Sequence, residues 1–174
     1  HPYFIASDFE NHYRAQRIED MIRNSGGNLT LKDFQTMQAD TVSLAARNIT
    51  PRLLALMEAQ SGEETEIFAA LAAWDYRMDR HLTEPLIFHE WLRQLYPALY
   101  ADELGRDLFE STHNHKAFFI DKVLNAAEGS RLTRWCDDIT TGVVEDCAAI
   151  ARKAFDAAIA DLKTRYGADW TGWV

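Results

Sequence analysis

An all-α fold of seven or eight helices is predicted by two features of the 174-residue chain. Apolar residues recur at spacings of three and four along most of its length, the period of a helix with one buried side. Helix-capping residues and prolines punctuate that pattern, whereas no alternating run of strand type extends beyond Tyr3 to Ala6. The sequence holds no internal repeat and no low-complexity segment, and it is read as a single helical domain over 1–174.

Residues 1–9 form an extended lead-in. A helix beginning near Glu10 then carries Ile18, Met21 and Ile22 on one face. Arg14, four residues before Ile18, falls on that same face. A guanidinium there must be paired, lie beside a polar cavity or snorkel at the edge of the face, because an unpaired buried charge is costly. Arg17, about 100° round the helix from Ile18, is read as a structural ion-pair partner. The stretch from Asn24 to Asn28 closes this helix. Thr30 with Asp33 reads as a capping box starting a second, whose buried side is expected to hold Leu31, Phe34, Thr41, Val42, Ala45 and Ile49. Gln38 sits among them and should be hydrogen-bonded internally.

Thr50-Pro51 reads as an N-cap followed by proline at the first helical position, opening a third helix through Leu53, Leu54, Leu56 and Met57. Ser61 with Glu64 repeats the capping signature ahead of Ile67, Leu71 and Trp74. The residues from Asp75 to Leu82 form a polar turn. Thr83-Glu84-Pro85 begins a fifth helix with Ile87, Trp91 and Leu95 inside, expected to stop at Pro97. A short helix is expected within Tyr100 to Glu110, and another from Lys116 to Ala127 with Phe119, Val123 and Leu124 in phase. Gly129 to Asp138 is loop. The last helix, 139–167, has the longest pattern: Val144, Cys147, Ala148, Ala151, Phe155, Ala158, Ile159, Leu162 and Tyr166, with Gly167 as its C-cap. In the tail, 168–174, Trp170 and Trp173 require a surface to pack on.

Charge and hydropathy exclude several classes. The formal net charge of −9 comes with no basic stripe, so no nucleic-acid partner is expected. No apolar run approaches the roughly eighteen residues of a membrane span. The chain begins at His1 without an initiator methionine or a signal peptide, which is read as a processed segment or a piece of something longer. Two readings of Cys136 and Cys147 stay open. One continuous helix would hold them roughly 16 Å apart, too far for a bridge, and leave two buried thiols. Trp135-Cys136-Asp137-Asp138, read as a loop entering the last helix, allows the chain to fold back and close a disulfide, which would imply an oxidising compartment such as a periplasm.

No set of residues completes a recognisable active site. His113-Asn114-His115 lacks helical ligand spacing and an accompanying carboxylate cluster, so it reads as surface loop. His89-Glu90 has no second histidine four residues on, and His81 in its polar turn is solvated. Asp137-Asp138 could chelate calcium, but a pair of acids at a helix start more simply favours the helix dipole. Ser7 beside Asp8 has no histidine base placed by the sequence, and neither a phosphate loop nor a G-x-S-x-G elbow occurs.

The order of motifs is nevertheless informative. Pro2-Tyr3 through Asp8, then Tyr13-Arg14-Ala15-Gln16-Arg17-Ile18, Gln38 to Ser43, Thr50 to Leu54, Ala70 to Asp75, Trp135 to Asp138, Tyr166-Gly167 and Trp170 to Trp173 follow one another along the whole chain. In that order they resemble the penicillin acylase (penicillin amidase) family of N-terminal nucleophile hydrolases. The resemblance implies the helical part of the large (β) subunit, excised from an αββα core, of an enzyme that frees an acyl group from an amide such as a β-lactam side chain or an acyl-homoserine lactone. Its nucleophile would be a chain-terminal Ser, Thr or Cys whose α-amino group acts as base, a sensible pairing since that amine titrates near 8. His1 is not such a nucleophile, and the oxyanion asparagine of the family has no counterpart here, so the chain alone is expected to be inactive.

Arg14 matches the family arginine that orients the nucleophile and oxyanion groups. Asp8 corresponds to a calcium ligand of the family, although its spacing to Arg14 is shorter here. The chain itself is expected to need no cofactor, with calcium confined to the parent. Expected partners are the small subunit and the catalytic sheets of that periplasmic or secreted parent, with a homodimer as the means by which an isolated fragment would hide its bared face. The alternative is a free-standing acidic helical module that binds a protein through Trp170 and Trp173. A small helical metalloprotein ranks last.

Overall fold

The computed structural model describes residues 3, 11–111 and 116–173, and the chain clusters into two compact units, 1–40 and 41–174. The fold is all-α. Among the described residues there are eight α-helices and two 3-10 helices but no strand, only an isolated antiparallel bridge between Val42 and Arg77. The lead-in 1–9 lies outside the described residues except for Tyr3, as do His113, Asn114 and His115.

The first unit holds α1 (Tyr13–Asn24) and α2 (Leu31–Gln38). Thr30 starts α2 with a complete capping box. Its hydroxyl accepts from the Asp33 N–H at 3.3 Å, and an Asp33 oxygen accepts from the Thr30 N–H at 2.7 Å. The buried side expected to run from Leu31 to Ile49 does not form. Leu31 is 76% and Phe34 48% exposed, Gln38 is exposed rather than bonded inside, and the helix ends before Asp40. Ser43, not Thr50, starts the next helix: its Oγ accepts from the Ala46 N–H at 3.1 Å. The chain leaves the helix between Gln38 and Ser43, which is why the period does not carry across.

The second unit contains α3 (Leu44–Ala55), α4 (Gly62–Ala73), α5 (Thr83–Leu104), α6 (Arg106–Ser111), α7 (Ala117–Leu124) and α8 (Cys147–Tyr166). Pro51 and Pro97 lie inside α3 and α5 and end neither. Each removes one ladder hydrogen bond. In α5 that loss is outweighed by burial that continues past the proline, with Trp91, Leu95 and Leu99 each almost wholly enclosed. The helix stops instead at Gly105, whose φ of 71° is a left-handed conformation open to glycine, and α6 starts directly after it.

Helices α5 and α8 pack lengthwise. The Trp91 indole N–H donates to the Ala151 carbonyl at 3.1 Å, and its ring meets Phe155 edge-on at 4.9 Å. Beside it the buried Glu90 carboxylate accepts from Arg93 at 2.6 and 2.9 Å, from the Gln94 amide at 2.8 Å and from Arg165 of α8 at 2.6 Å. Burial alone would raise the Glu90 pKa, but the hydrogen bonds from Arg93, Gln94 and Arg165 and the Arg93 charge hold it below the usual glutamate value. On the opposite side of α8, Arg152 reaches Glu64 of α4 at 3.0 Å and the Glu58 carbonyl at 2.6 Å, and Lys163 pairs with Glu63. Between α3 and α7, Arg52 pairs with the buried Asp121 at 3.0 Å.

The tail closes on this core. Trp173 is fully buried and donates its indole N–H to the Gly167 carbonyl at 2.9 Å, while Trp170 packs partly buried against the same cluster. Of the two, only Trp170 keeps part of its surface exposed. The core supplies the partner that the tail requires, and Trp173 offers no surface to the binding-module reading. Val144 is also corrected. Expected inside the last helix, it is 86% exposed and precedes α8, which begins at Cys147 rather than at 139.

Two outcomes follow from this packing. Trp173→Ala should destabilise the second unit by about 3–5 kcal/mol, read from urea unfolding. For Glu90, the folded pKa lies below the unfolded value of about 4.5. Its contribution is therefore present above that pH and lost as pH falls through the folded value. The stability gap between wild type and Glu90→Gln should narrow as the solution is acidified below pH 4.5; a constant gap would remove Glu90 as its source.

Candidate functional site

Two places among the described residues hold the side chains that the sequence singles out. The first is α1. Its residues Arg14, Ile18 and Ile22 share one face by helical spacing, and all three are exposed, with Ile18 at 43% and Ile22 at 42%. Arg14 therefore lies on the predicted apolar face, but that face is bared. Among the described residues Arg14 has no ion-pair partner, so its guanidinium is free to meet an anion or a carbonyl.

Arg17, one turn along, is held. Its Nε donates to Asp40 Oδ2 at 2.9 Å and its Nη2 to Oδ1 at 2.7 Å, a bidentate fork that ties α1 to the segment after α2. The hydrogen bond to Asp40 raises the Arg17 pKa further, against a smaller opposing effect of burial. The two arginines thus divide a structural task from an uncommitted one. Asp8, the calcium-ligand candidate, lies outside the described residues.

The second place is the segment 136–147. Cys136 and Cys147 are joined by a disulfide with their Cα atoms 4.8 Å apart, and Cys136 is buried. The loop between them is pinned from within. Asp137 Oδ1 accepts from the Glu145 N–H at 3.0 Å, and Glu145 Oε2 accepts from the Asp138 N–H at 3.2 Å. Asp138 Oδ1 accepts from Thr140 N and Oγ1, and these bonds hold its pKa below the usual range. Asp137 and Asp138 consequently do not start the helix. Asp146 does, with its carboxylate on the Ala149 N–H at 2.8 Å. From outside, Asp102 of α5 accepts the Ile139 N–H at 3.0 Å, and Lys153 of α8 approaches Asp138 at 3.6 Å.

Neither place assembles a reaction centre among the described residues. The hydroxyls of Thr30, Ser43 and Ser61 are taken up by helix caps. No described group of three His, Cys, Asp or Glu side chains converges as a metal site. The residues that the spacing alone did not single out are Glu90 and Arg165. The available signal was position: Glu90 follows Ile87 by three and adjoins Trp91, which puts a carboxylate on the inner side of its helix. No described helix is long and apolar enough to cross a membrane.

Comparison with family models yields a match described as penicillin amidase over residues 1–174, the full length of the sequence. A search of the curated proteins finds no match.

Replacing Cys136 and Cys147 together by alanine should lower the stability of the second unit by about 2–3 kcal/mol, the usual entropic worth of so short a closed loop. All five tryptophans lie beyond residue 40, so tryptophan fluorescence during urea unfolding reports this unit alone. An unchanged midpoint would show that the loop's own hydrogen bonds suffice.

Proposed function

The chain belongs to the penicillin amidase family, and from that membership we propose that it forms the helical portion of the large subunit of an amidohydrolase. The parent enzyme frees an acyl group from an amide, with β-lactam side chains and acyl-homoserine lactones as the substrate classes. The observation that carries this reading is the family match across residues 1–174, which leaves no stretch of the chain to another fold.

In this proposal the nucleophile, its α-amino base and the oxyanion asparagine belong to other parts of the parent, and the isolated chain is inactive. Arg14 is the residue that reaches the active site, where it orients the nucleophile and oxyanion groups as a positioning residue. Its exposure and its lack of a described carboxylate partner support that role, since a guanidinium already held in a fork could not serve. The bare aliphatic residues Ile18 and Ile22 beside it suit a surface that the small subunit and catalytic sheets cover, or that a second copy covers when the chain is alone. The Cys136–Cys147 disulfide supports a periplasmic or secreted parent. In this proposal calcium belongs to the parent enzyme, with Asp8 as a ligand by its correspondence with the family.

The test is made on the native polypeptide, isolated from source cells with an antibody against this chain. A polypeptide several times larger that hydrolyses acyl amides is the expected result, and one of this chain's size without amidase activity overturns the proposal. In the full enzyme, Arg14→Ala should lower kcat/KM at least about tenfold, roughly 1.4 kcal/mol of transition-state stabilisation, with the unfolding midpoint unchanged. Near-normal turnover would remove Arg14 from the site.

A further inference from the structure

The disulfide-closed loop 137–146 holds three branched aliphatic side chains in water: Ile139 is 62%, Val143 68% and Val144 86% exposed. Scattered singly, such residues are ordinary at a protein surface, but beside an apolar recess they mark a place for a partner. Val144 lines a groove of about 590 Å³, a volume within the range of binding clefts. Leu56 beyond α3, Val123 and Leu124 of α7 and Ala148 of α8 supply more of its apolar wall. The frame is set before anything binds. The disulfide joins the two ends of the loop, and the Asp137–Glu145 bonds and the Asp146 cap fix its interior. A partner therefore meets an ordered surface, and the loop loses little conformational freedom on association.

Charge says what kind of partner fits. Four carboxylates line the groove, Glu128, Asp137, Glu145 and Asp146, against one cation, Arg134. None of the four has an ion-pair partner among the described residues. Asp137, Glu145 and Asp146 accept backbone N–H groups, which orients them without cancelling their charge. The groove is thus aliphatic in its walls and anionic at its polar positions.

We propose that this groove receives an apolar stretch, flanked by Lys or Arg, of a second and different polypeptide. The apolar side chains cover Val144 and its neighbours, and the flanking cations meet the four carboxylates, which steers the encounter and fixes the orientation. Nucleic acids and anionic membranes would bring phosphates against like charge. A second copy of this chain carries the same net charge of −9 and is opposed for the same reason. A metal ion leaves the aliphatic walls bare, and no described group of three ligands converges to hold one. A small molecule confined to the groove leaves Ile139 and Val143 in water, whereas a polypeptide segment extends over them. No residue of α1 enters this inference, so it is independent of the proposed enzyme.

The experiment titrates the whole chain, at neutral pH and low salt, with the fluorescent peptide Lys-Lys-Leu-Ala-Leu-Lys-Lys. Two further peptides are controls: Glu-Glu-Leu-Ala-Leu-Glu-Glu keeps the apolar centre, and Lys-Lys-Ser-Ala-Ser-Lys-Lys keeps the charge. The first should bind at least about tenfold more tightly than either control, and its NMR amide shifts should concentrate in 139–148 and at Leu124. Val144→Arg and Glu128→Lys, both at exposed positions, should each weaken it at least about fivefold. Leu31→Ser in the first unit should leave it unchanged. Equal binding of either control peptide, no binding up to about 1 mM, or an affinity that Val144→Arg leaves intact would each overturn the proposal. So would a chain that sediments as a dimer and becomes monomeric in Val144→Arg, which would make a second copy the occupant. The shift map is read in the wild-type chain, so the outcome stands even where a variant fails to fold.

Discussion

The contact on which the second unit depends is the hydrogen bond from the Trp91 indole to the Ala151 carbonyl within α8. A fully buried tryptophan must find an acceptor for its N–H, and a carbonyl inside a helix ladder has a second lone pair to give. The ring can reach that carbonyl only because α8 presents small residues there, Ala151 and Ala154, both buried. The bond itself is worth about 1 kcal/mol net. Its larger consequence is register: once the indole is seated, α5 and α8 cannot slide past one another without leaving a buried donor unpaired. Glu90, one residue earlier, then finds Arg165 of α8 within 2.6 Å. Glu90 also keeps Arg93, and Arg165, 43% exposed, also pairs with Asp161, so the contact adds to a network that ties the two helices together.

The pairings run in opposite directions along the two helices. Glu90, in the first half of α5, meets Arg165 at the end of α8, whereas Asp102 at the end of α5 meets the loop that leads into α8. The disulfide fixes the other boundary of that loop, setting Cys136 against the first residue of α8. A short loop with exposed Ile139, Val143 and Val144 has little apolar burial of its own to order it. It is ordered instead by polar groups: the Asp137–Glu145 reciprocal bonds, the Asp138 turn and the external ties to Asp102 and Lys153.

Much of this was legible in the sequence, and the misreadings share a cause. Thr30, Ser61, Gly167 and the inner residues Ile67, Leu71, Ile87, Trp91 and Leu95 stand where local chemistry put them, because a cap or a helical period is decided within one or two turns. The stop assigned to Pro97 failed because local propensity was set against burial that continues through Leu99, and the tertiary term is larger. Val144 failed for the opposite reason: its period is correct, but Asp146 claims the cap and the disulfide closes before it. The partner of Trp91 could not be read at all, since nothing in a sequence says which carbonyl sixty residues away has a lone pair facing inward. Of the candidate site, Arg14's face was legible, but its exposure was not.

The two arginines of α1 show why that exposure matters. Arg14 and Arg17 stand three residues apart on one helix, with the same charge and the same reach. Arg17 is fixed by two hydrogen bonds to Asp40, so any further ligand must first displace a carboxylate. Arg14 has no described ion pair to give up, and the aliphatic residues on its face remain in water at a cost of roughly 25 cal/mol for each Å² of apolar surface left uncovered. A surface that covers Ile18 and Ile22 gains that burial and at the same time lowers the dielectric around Arg14, which strengthens whatever the guanidinium binds. Burial and binding at this face therefore favour one another. An uncommitted arginine among bared aliphatics is better suited to completing a site across an interface than to stabilising the unit that carries it.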